Sequence, residues 1–201
     1  MKRFLIIFIV IFVLVVAGRF TLFQTKEQPP RPPEAIKSSQ SSVIPTPTVS
    51  ATQSIPSRVK ISAINVDADV ESVGLDSQNR MDVPKEDMNV AWYNLGFKPG
   101  EKGSAVLAGH YDARTGGPAV FYDLAKLRPG DTIQVTYADN EVFTFTVTDS
   151  ELYDFDKVPL EDIFNSTDKA RLNLITCDGV FNKSSANYSK RLVVYTELSE
   201  S

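Results

Sequence analysis

Apolar and polar residues alternate with a period of two along much of the chain from residue 58 onward. Arg58-Val59-Lys60-Ile61 alternates, as do Val66-Asp67-Ala68-Asp69-Val70 and Ala170-Arg171-Leu172-Asn173-Leu174. Residues 132–137 and 142–147 alternate from their second position on and flank Ala138-Asp139-Asn140-Glu141, which predicts a hairpin. A strand with one face in a core and one in water produces this period. Ser104-Ala105-Val106-Leu107-Ala108 is nearly continuous in apolar residues instead, the pattern of a strand covered on both faces. Val90-Ala91-Trp92-Tyr93 reads as a short strand or turn, and Leu192-Val193-Val194-Tyr195 as a strand opened by Arg191. Helical signal is sparse. Residues 120–126 predict a short helix stopped by Leu127-Arg128-Pro129-Gly130, and residues 159–164 predict a helical turn inside a long connection from Ser150 to Lys169. About seven or eight short strands with one or two short helices predict a mainly β fold, a closed or nearly closed β-barrel.

The first part of the chain has different patterns. Lys2 and Arg3 precede an unbroken apolar run over residues 4–17, and Gly18-Arg19-Phe20-Thr21-Leu22-Phe23 follows. As a helix, residues 4–23 would extend roughly 30 Å, enough for a bilayer core, with Lys2 and Arg3 keeping the N-terminus cytoplasmic. Residues 1–24 are therefore expected to be a membrane anchor. The competing expectation is a signal peptide cleaved near Val15-Val16-Ala17. Residues 25–57 hold Pro29, Pro30, Pro32, Pro33, Pro45, Pro47 and Pro56 among Ser, Thr and Gln. With no apolar period they cannot supply a core, and they predict a disordered, extended linker. The folded domain is expected over residues 58–201, outside the cell membrane. The formal net charge of −4 offers no basic footprint for nucleic acid.

The candidate chemistry is concentrated in three residues. The chain has one cysteine, Cys177, and one histidine, His110. Cys177 ends the run Leu172-Asn173-Leu174-Ile175-Thr176 and precedes Asp178-Gly179, which predicts a turn; His110 follows the 104–108 strand and Gly109. A lone thiol cannot form an internal disulfide, and a free thiol in an oxidising compartment calls for a reason such as catalysis. Cys177 is a candidate nucleophile, His110 a general acid and base, and Arg191 a fork of donors for a carbonyl or an oxyanion. Plainer readings stay open at this point: a buried core cysteine, a loop histidine and a strand-edge arginine. Asp149, Glu151, Asp154 and Asp156 lack the spacing of a cation-binding loop and read as a solvated acidic segment, so no metal or cofactor is expected.

Leu174-Ile175-Thr176-Cys177 resembles the L-x-T-C signature of sortases, the cysteine transpeptidases of bacterial surfaces. Ala108-Gly109-His110 is similar to that family's histidine segment, and Arg191 before an apolar strand matches its arginine. The resemblance spans residues 57–198. Gly116-Gly117-Pro118-Ala119-Val120-Phe121-Tyr122-Asp123-Leu124 and Leu127-Arg128-Pro129-Gly130-Asp131 look most like class F. The resemblance implies a closed eight-stranded sortase-type barrel with the cysteine and arginine strands side by side and the histidine loop facing them. It implies Cys177, His110 and Arg191 as catalytic residues, and Thr176 and Ala108 as residues of the substrate groove. By its alternation Thr176 should point away from Cys177. The implied substrates are a sorting-signal peptide resembling Leu-Pro-x-Thr-Gly and an amine acceptor on peptidoglycan or protein. Two other functions share parts of this pattern: another extracellular cysteine peptidase, and a non-catalytic wall-binding barrel.

Overall fold

The computed structural model describes residues 54–200. The expected anchor over residues 1–24 and the greater part of the 25–57 segment lie outside the described residues. Among the described residues no helix is long and apolar enough to cross a membrane.

Eight strands form the domain: β1 Pro56–Ile61, β2 Val66–Val73, β3 Val90–Tyr93, β4 Gly103–Gly109, β5 Thr132–Tyr137, β6 Val142–Asp154, β7 Ala170–Asn182 and β8 Asn187–Leu198. They close into a barrel in the order β1-β2-β3-β4-β7-β8-β6-β5, as expected. The β2–β3 and β4–β7 pairings are parallel and the other six are antiparallel. The hairpin of β5 and β6 turns through Asn140, held at φ 70°. Asn tolerates this left-handed conformation because its short side chain can bond locally.

The alternating positions point inward. Val59 and Ile61 of β1, Ile133 and Val135 of β5, Phe145 of β6, and Leu172 and Leu174 of β7 are all fully buried. They join Phe121, Leu124 and Leu127 from the β4–β5 connection in one core inside the barrel. Residues 120–126 form a chain of turns with a single 3-10 turn at Leu124–Lys126 rather than the expected helix. Phe121 and Leu124 are drawn into the barrel, and tertiary burial overrides local helical preference there.

The expectation that the 104–108 strand is covered on both faces holds, and the second layer explains it. A smaller cluster of Val106, Ile163 and Val193, with Tyr93, Phe164, Ile175 and Tyr195 against it, lies outside the barrel. Ile163 comes from α1, Leu160–Phe164, the short helix expected in this region. Asn173 of β7 is fully buried beneath it and donates from Nδ2 to the Ile163 carbonyl at 2.7 Å. This bond satisfies a carbonyl near the helix C-terminus that the helix itself leaves unpaired. A helix of five residues has little stability of its own, so this anchor and the apolar contacts hold it.

Four element boundaries differ from expectation. β6 runs on to Asp154 because it pairs with β8 as far as Asp154–Lys190, which shortens the supposed long connection. β7 does not turn after Cys177: Gly179, at φ 82°, sits in a bulge between Asp178 and Phe181, and the strand continues to Asn182. A bulge adds a residue without ending the ladder. Consequently β8 starts at Asn187, four residues before Arg191. The first strand also takes in Pro56 and Ser57.

Gly109 ends β4, and its φ is not in the left-handed region. Space, not turning freedom, requires glycine there. A Cβ would lie 2.5 Å from Phe121 Cδ2 and 2.7 Å from Val120 Cγ1. Because Phe121 is fully buried in the core, it cannot move aside freely. Gly109→Ala is expected to destabilise the domain by about 1–3 kcal/mol. For a domain of this size that lowers the Tm by roughly 2–4 °C per kcal/mol. Thermal unfolding of the two proteins checks this, and an unchanged Tm would show that the β4 end yields easily.

Candidate active site

Three neighbouring strands of the barrel bring the expected residues together. Cys177 of β7 and Arg191 of β8 stand directly opposite in the antiparallel register. Residues so paired project to one face, with Cβ atoms about 4.5–5.5 Å apart. On its other side β7 runs parallel to β4, where Ala108 pairs with Ile175. His110 follows two residues later, level with Cys177. Thr176 Oγ1 donates to the Gly109 carbonyl at 2.9 Å, tying the end of β4 to the residue before the thiol. This bond saturates a hydroxyl on a residue only 3% exposed. The alternation expectation is met: Thr176 is buried and Cys177 half-buried.

His110, Cys177, Arg191, Thr176 and Ala108 all line one groove of ≈ 1340 Å³. One wall comes from the β2–β3 and β3–β4 connections, with Leu75, Met81, Val83 and Leu95. A further part of the lining comes from the β6–β7 connection and α1, with Phe155, Leu160 and Phe164. Leu95 is 64% exposed and Leu160 62% exposed. Apolar side chains this open around one groove form a surface, not a core.

The imidazole is oriented by a backbone carbonyl. His110 Nε2 lies 3.0 Å from the Pro84 carbonyl oxygen. A carbonyl only accepts, so Nε2 carries the proton in the neutral ring and Nδ1 holds the lone pair. Pro84 is itself buried, and the segment after it is fixed from β2. The Glu71 carboxylate accepts from the backbone N–H of Lys85 at 3.0 Å and of Glu86 at 3.2 Å, and from Asn89 Nδ2 at 3.0 Å. Sequence spacing gave no sign of this support, because it joins β2 to a loop beside a histidine about forty residues further on.

The guanidinium is held by its own strand. Arg191 Nη1 donates to the Lys190 carbonyl at 2.8 Å and the Tyr188 carbonyl at 3.3 Å, and Nη2 to Asn187 Oδ1 at 2.6 Å. These bonds aim the fork without using all of its donors. Burial pushes the Cys177 thiol up from its ordinary value; the Arg191 charge opposes that shift and the Asp112 charge adds to it. The resting site therefore favours the neutral thiol. Asp112 was not among the expected residues. Tyr188 Oη donates to its Oδ2 at 2.6 Å, which links the β4–β5 connection to β8.

No group of three or more His, Cys, Asp or Glu residues suited to a metal ion occurs among the described residues. In the acidic segment, Asp154 bonds Lys190 at 2.6 Å and Lys157 at 3.0 Å, and these bonds hold its carboxyl down at about 2.

Comparison with known proteins agrees with this architecture. A family model described as the sortase domain matches residues 59–199. None of the curated proteins compared with the chain matches it. Among solved structures, the chain is similar to sortase A of Listeria monocytogenes at 25% identity and a TM-score of 0.54, over 73% of this chain and 88% of that one. It is similar to a Clostridium perfringens sortase D5 transpeptidase at 20% identity and a TM-score of 0.53, over 72% and 79%. A lid mutant of sortase A from Corynebacterium diphtheriae gives 18% identity and a TM-score of 0.57, over 73% and 71%. With the family match covering the greater part of its length, the chain belongs to the sortase family, the cysteine transpeptidases.

Proposed function

We propose that Cys177 is the nucleophile, His110 the proton carrier and Arg191 the oxyanion and carbonyl donor of this transpeptidase. The observation that supports the assignment is that Cys177 on β7, Arg191 on β8 and His110 just past the end of β4 line one groove. The groove takes a sorting signal resembling Leu-Pro-x-Thr-Gly, with the apolar walls against its Leu and Pro. Ala108 and Thr176 form the floor that passes the peptide to the thiol. The sequence features around residues 116–131 favour class F within the family.

In the first half-reaction the Cys177 thiol gives its proton to the free ring nitrogen of His110, and the thiolate attacks the Thr carbonyl carbon. The oxyanion is met by the Arg191 donors, whose charge is worth more once peptide displaces water from the groove. The C–N bond breaks as His110 gives the departing amine a proton, leaving a thioester on Cys177. In the second half-reaction an amine of peptidoglycan or of another protein attacks the thioester, loses a proton to His110 and releases the thiolate. Residues 1–24 anchor the protein in the membrane with the N-terminus cytoplasmic. Residues 25–57 carry the catalytic domain away from the outer surface. The apolar run with Lys2 and Arg3 and the proline-rich composition support both assignments.

Incubation with a labelled sorting peptide and an amine tests the reading. The wild-type protein is expected to form a covalent adduct and an amide product, and Cys177→Ala neither. An adduct on Cys177→Ala, seen by intact mass, would reject the nucleophile.

The role of Arg191 separates from its charge. The Cys177 thiol lies above its ordinary range, so alkylation should accelerate as pH rises through the shifted value. Removing the guanidinium in Arg191→Ala removes an influence that lowers it, and the alkylation profile should move further to alkaline pH. Arg191→Lys keeps the charge and should leave that profile nearly in place. It loses the planar fork, however, and transpeptidation should fall by roughly 10²–10³. Near-wild-type turnover in Arg191→Lys would reject the oxyanion role.

A further inference from the structure

Beside Cys177, and outside the lining of the groove, lies a second surface. Tyr111 and Asp112 come from the β4–β5 connection, Phe181 from β7 and Tyr188 from β8. The rings are continuous: Tyr111 to Tyr122 at 4.9 Å, Tyr111 to Tyr188 at 5.8 Å, and Phe181 to Tyr188 at 5.2 Å between centroids. Tyr122 is 44% and Phe181 47% exposed, so these rings fill no core. None of the five residues lines the apolar groove.

The carboxylate among these rings is in a costly place. Asp112 is exposed and charged, and its field disfavours the thiolate on which acylation depends. A site built only for acylation would do better without it. The Tyr188 bond uses part of its acceptor capacity and leaves its charge. Its backbone is fixed too: residues 112 and 118 form a bridge, and the Tyr111 carbonyl accepts from Ala119 N at 3.1 Å. An anion among aromatic faces is a receptor for an organic cation, through charge attraction and the quadrupole of the rings.

We propose that Tyr111, Asp112 and Tyr188, flanked by Tyr122 and Phe181, receive the ammonium group of the acceptor. This rests on the reading that Cys177 carries a thioester. With the acyl peptide filling the groove, the open approach to the thioester is from this side. A primary ammonium held at Asp112 waits beside the acyl carbon and must lose one proton to react. The neutral amine then forms the C–N bond, the C–S bond breaks, Cys177 leaves as thiolate, and the second nitrogen proton passes to His110. The first proton goes to water. The chemical class is a primary ammonium on a peptide, an N-terminal α-amine or a lysine-type side-chain amine.

A rival role for the Asp112–Tyr188 bond is to pin the β4–β5 connection to the hairpin. Asp112→Asn separates the two, because the amide oxygen still accepts from Tyr188 while the charge is gone. The experiment uses the full chain and reads the ratio of aminolysis to hydrolysis of one acyl-enzyme, which cancels any change in acylation. Three nucleophiles are compared at pH 7: triglycine, Nα-acetyl-lysine amide, and hydroxylamine, which is largely uncharged at that pH. Asp112→Asn is expected to raise the concentration of charged amine needed for half-maximal aminolysis by about three- to ten-fold, with hydroxylamine unaffected. Whichever of the two charged amines loses more identifies the source. Tyr111→Leu should weaken the same arm. An unchanged dependence on both charged amines overturns the proposal, and so does an equal loss with hydroxylamine, which would mark a structural pin. If the sorting peptide does not acylate Cys177, the substrate reading fails instead. The acceptor test then proceeds on acyl-enzyme made with p-nitrophenyl acetate.

Discussion

The site depends on the position of β7 between β4 and β8. Its parallel pairing with β4 sets His110 level with Cys177, and its antiparallel pairing with β8 sets Arg191 opposite Cys177. A slip of one residue in either ladder would turn the thiol or the guanidinium to the other face. What prevents the slip is burial on both sides. Inside the barrel Leu172 and Leu174 are fully buried, and outside it Asn173 is fully buried beneath α1. A strand constrained on one face only would have a weaker register. The bond from Thr176 to the Gly109 carbonyl then fixes the last step before the reactive residues.

The same double layer shapes the binding surface. α1 contributes Ile163 to the outer cluster and presents Leu160 and Phe164 to the groove. One helix therefore both closes the register of β7 and forms a wall of the groove. Asn173 links these roles, since its amide holds the helix to the strand that carries the thiol. Asn173 Oδ1 is buried without a partner, so loss of the Nδ2 bond would loosen the wall and leave the whole buried amide unsatisfied.

The barrel was legible in the sequence because its period-two strands are strongly one-sided. Val59 and Ile61, Ile133 and Val135, and Leu172 and Leu174 were assigned inward by alternation alone, and they are fully buried. The continuous run at 104–108 also announced its second layer. Cys177, His110 and Arg191 could be singled out because each is rare or sits at a marked strand position. Their grouping followed from the family resemblance and now also from register. Other features were hidden for physical reasons. The bulge at Gly179 looks like a turn locally, since a glycine at positive φ suits either, and only the partner strand shows that pairing resumes. Residues 120–126 have helical propensity, which burial of Phe121 and Leu124 defeats. Pro84, Glu71 and Asp112 act through contacts between distant segments, and no local pattern marks such residues.

The electrostatics of the thiol connect the two halves of the reaction. Burial alone would keep Cys177 neutral, Arg191 pulls it toward ionisation, and Asp112 pushes it back. In the proposed reaction the two charged residues serve different steps. Arg191, held by β8 carbonyls, lines the groove and would meet the oxyanion of the peptide carbonyl. Asp112, held by Tyr188, does not line the groove. A thioester bears no ionisable sulfur, so once acylation is complete the penalty from Asp112 on the thiolate vanishes. What remains is its attraction for an approaching cation. On the proposed acceptor role, a charge that disfavours the thiolate in the first step serves the second, and the neutral resting thiol is also less exposed to oxidation in an extracellular compartment. In the proposed reaction the opposed charges around one sulfur match a single nucleophile that meets a neutral carbonyl first and a cationic amine afterwards.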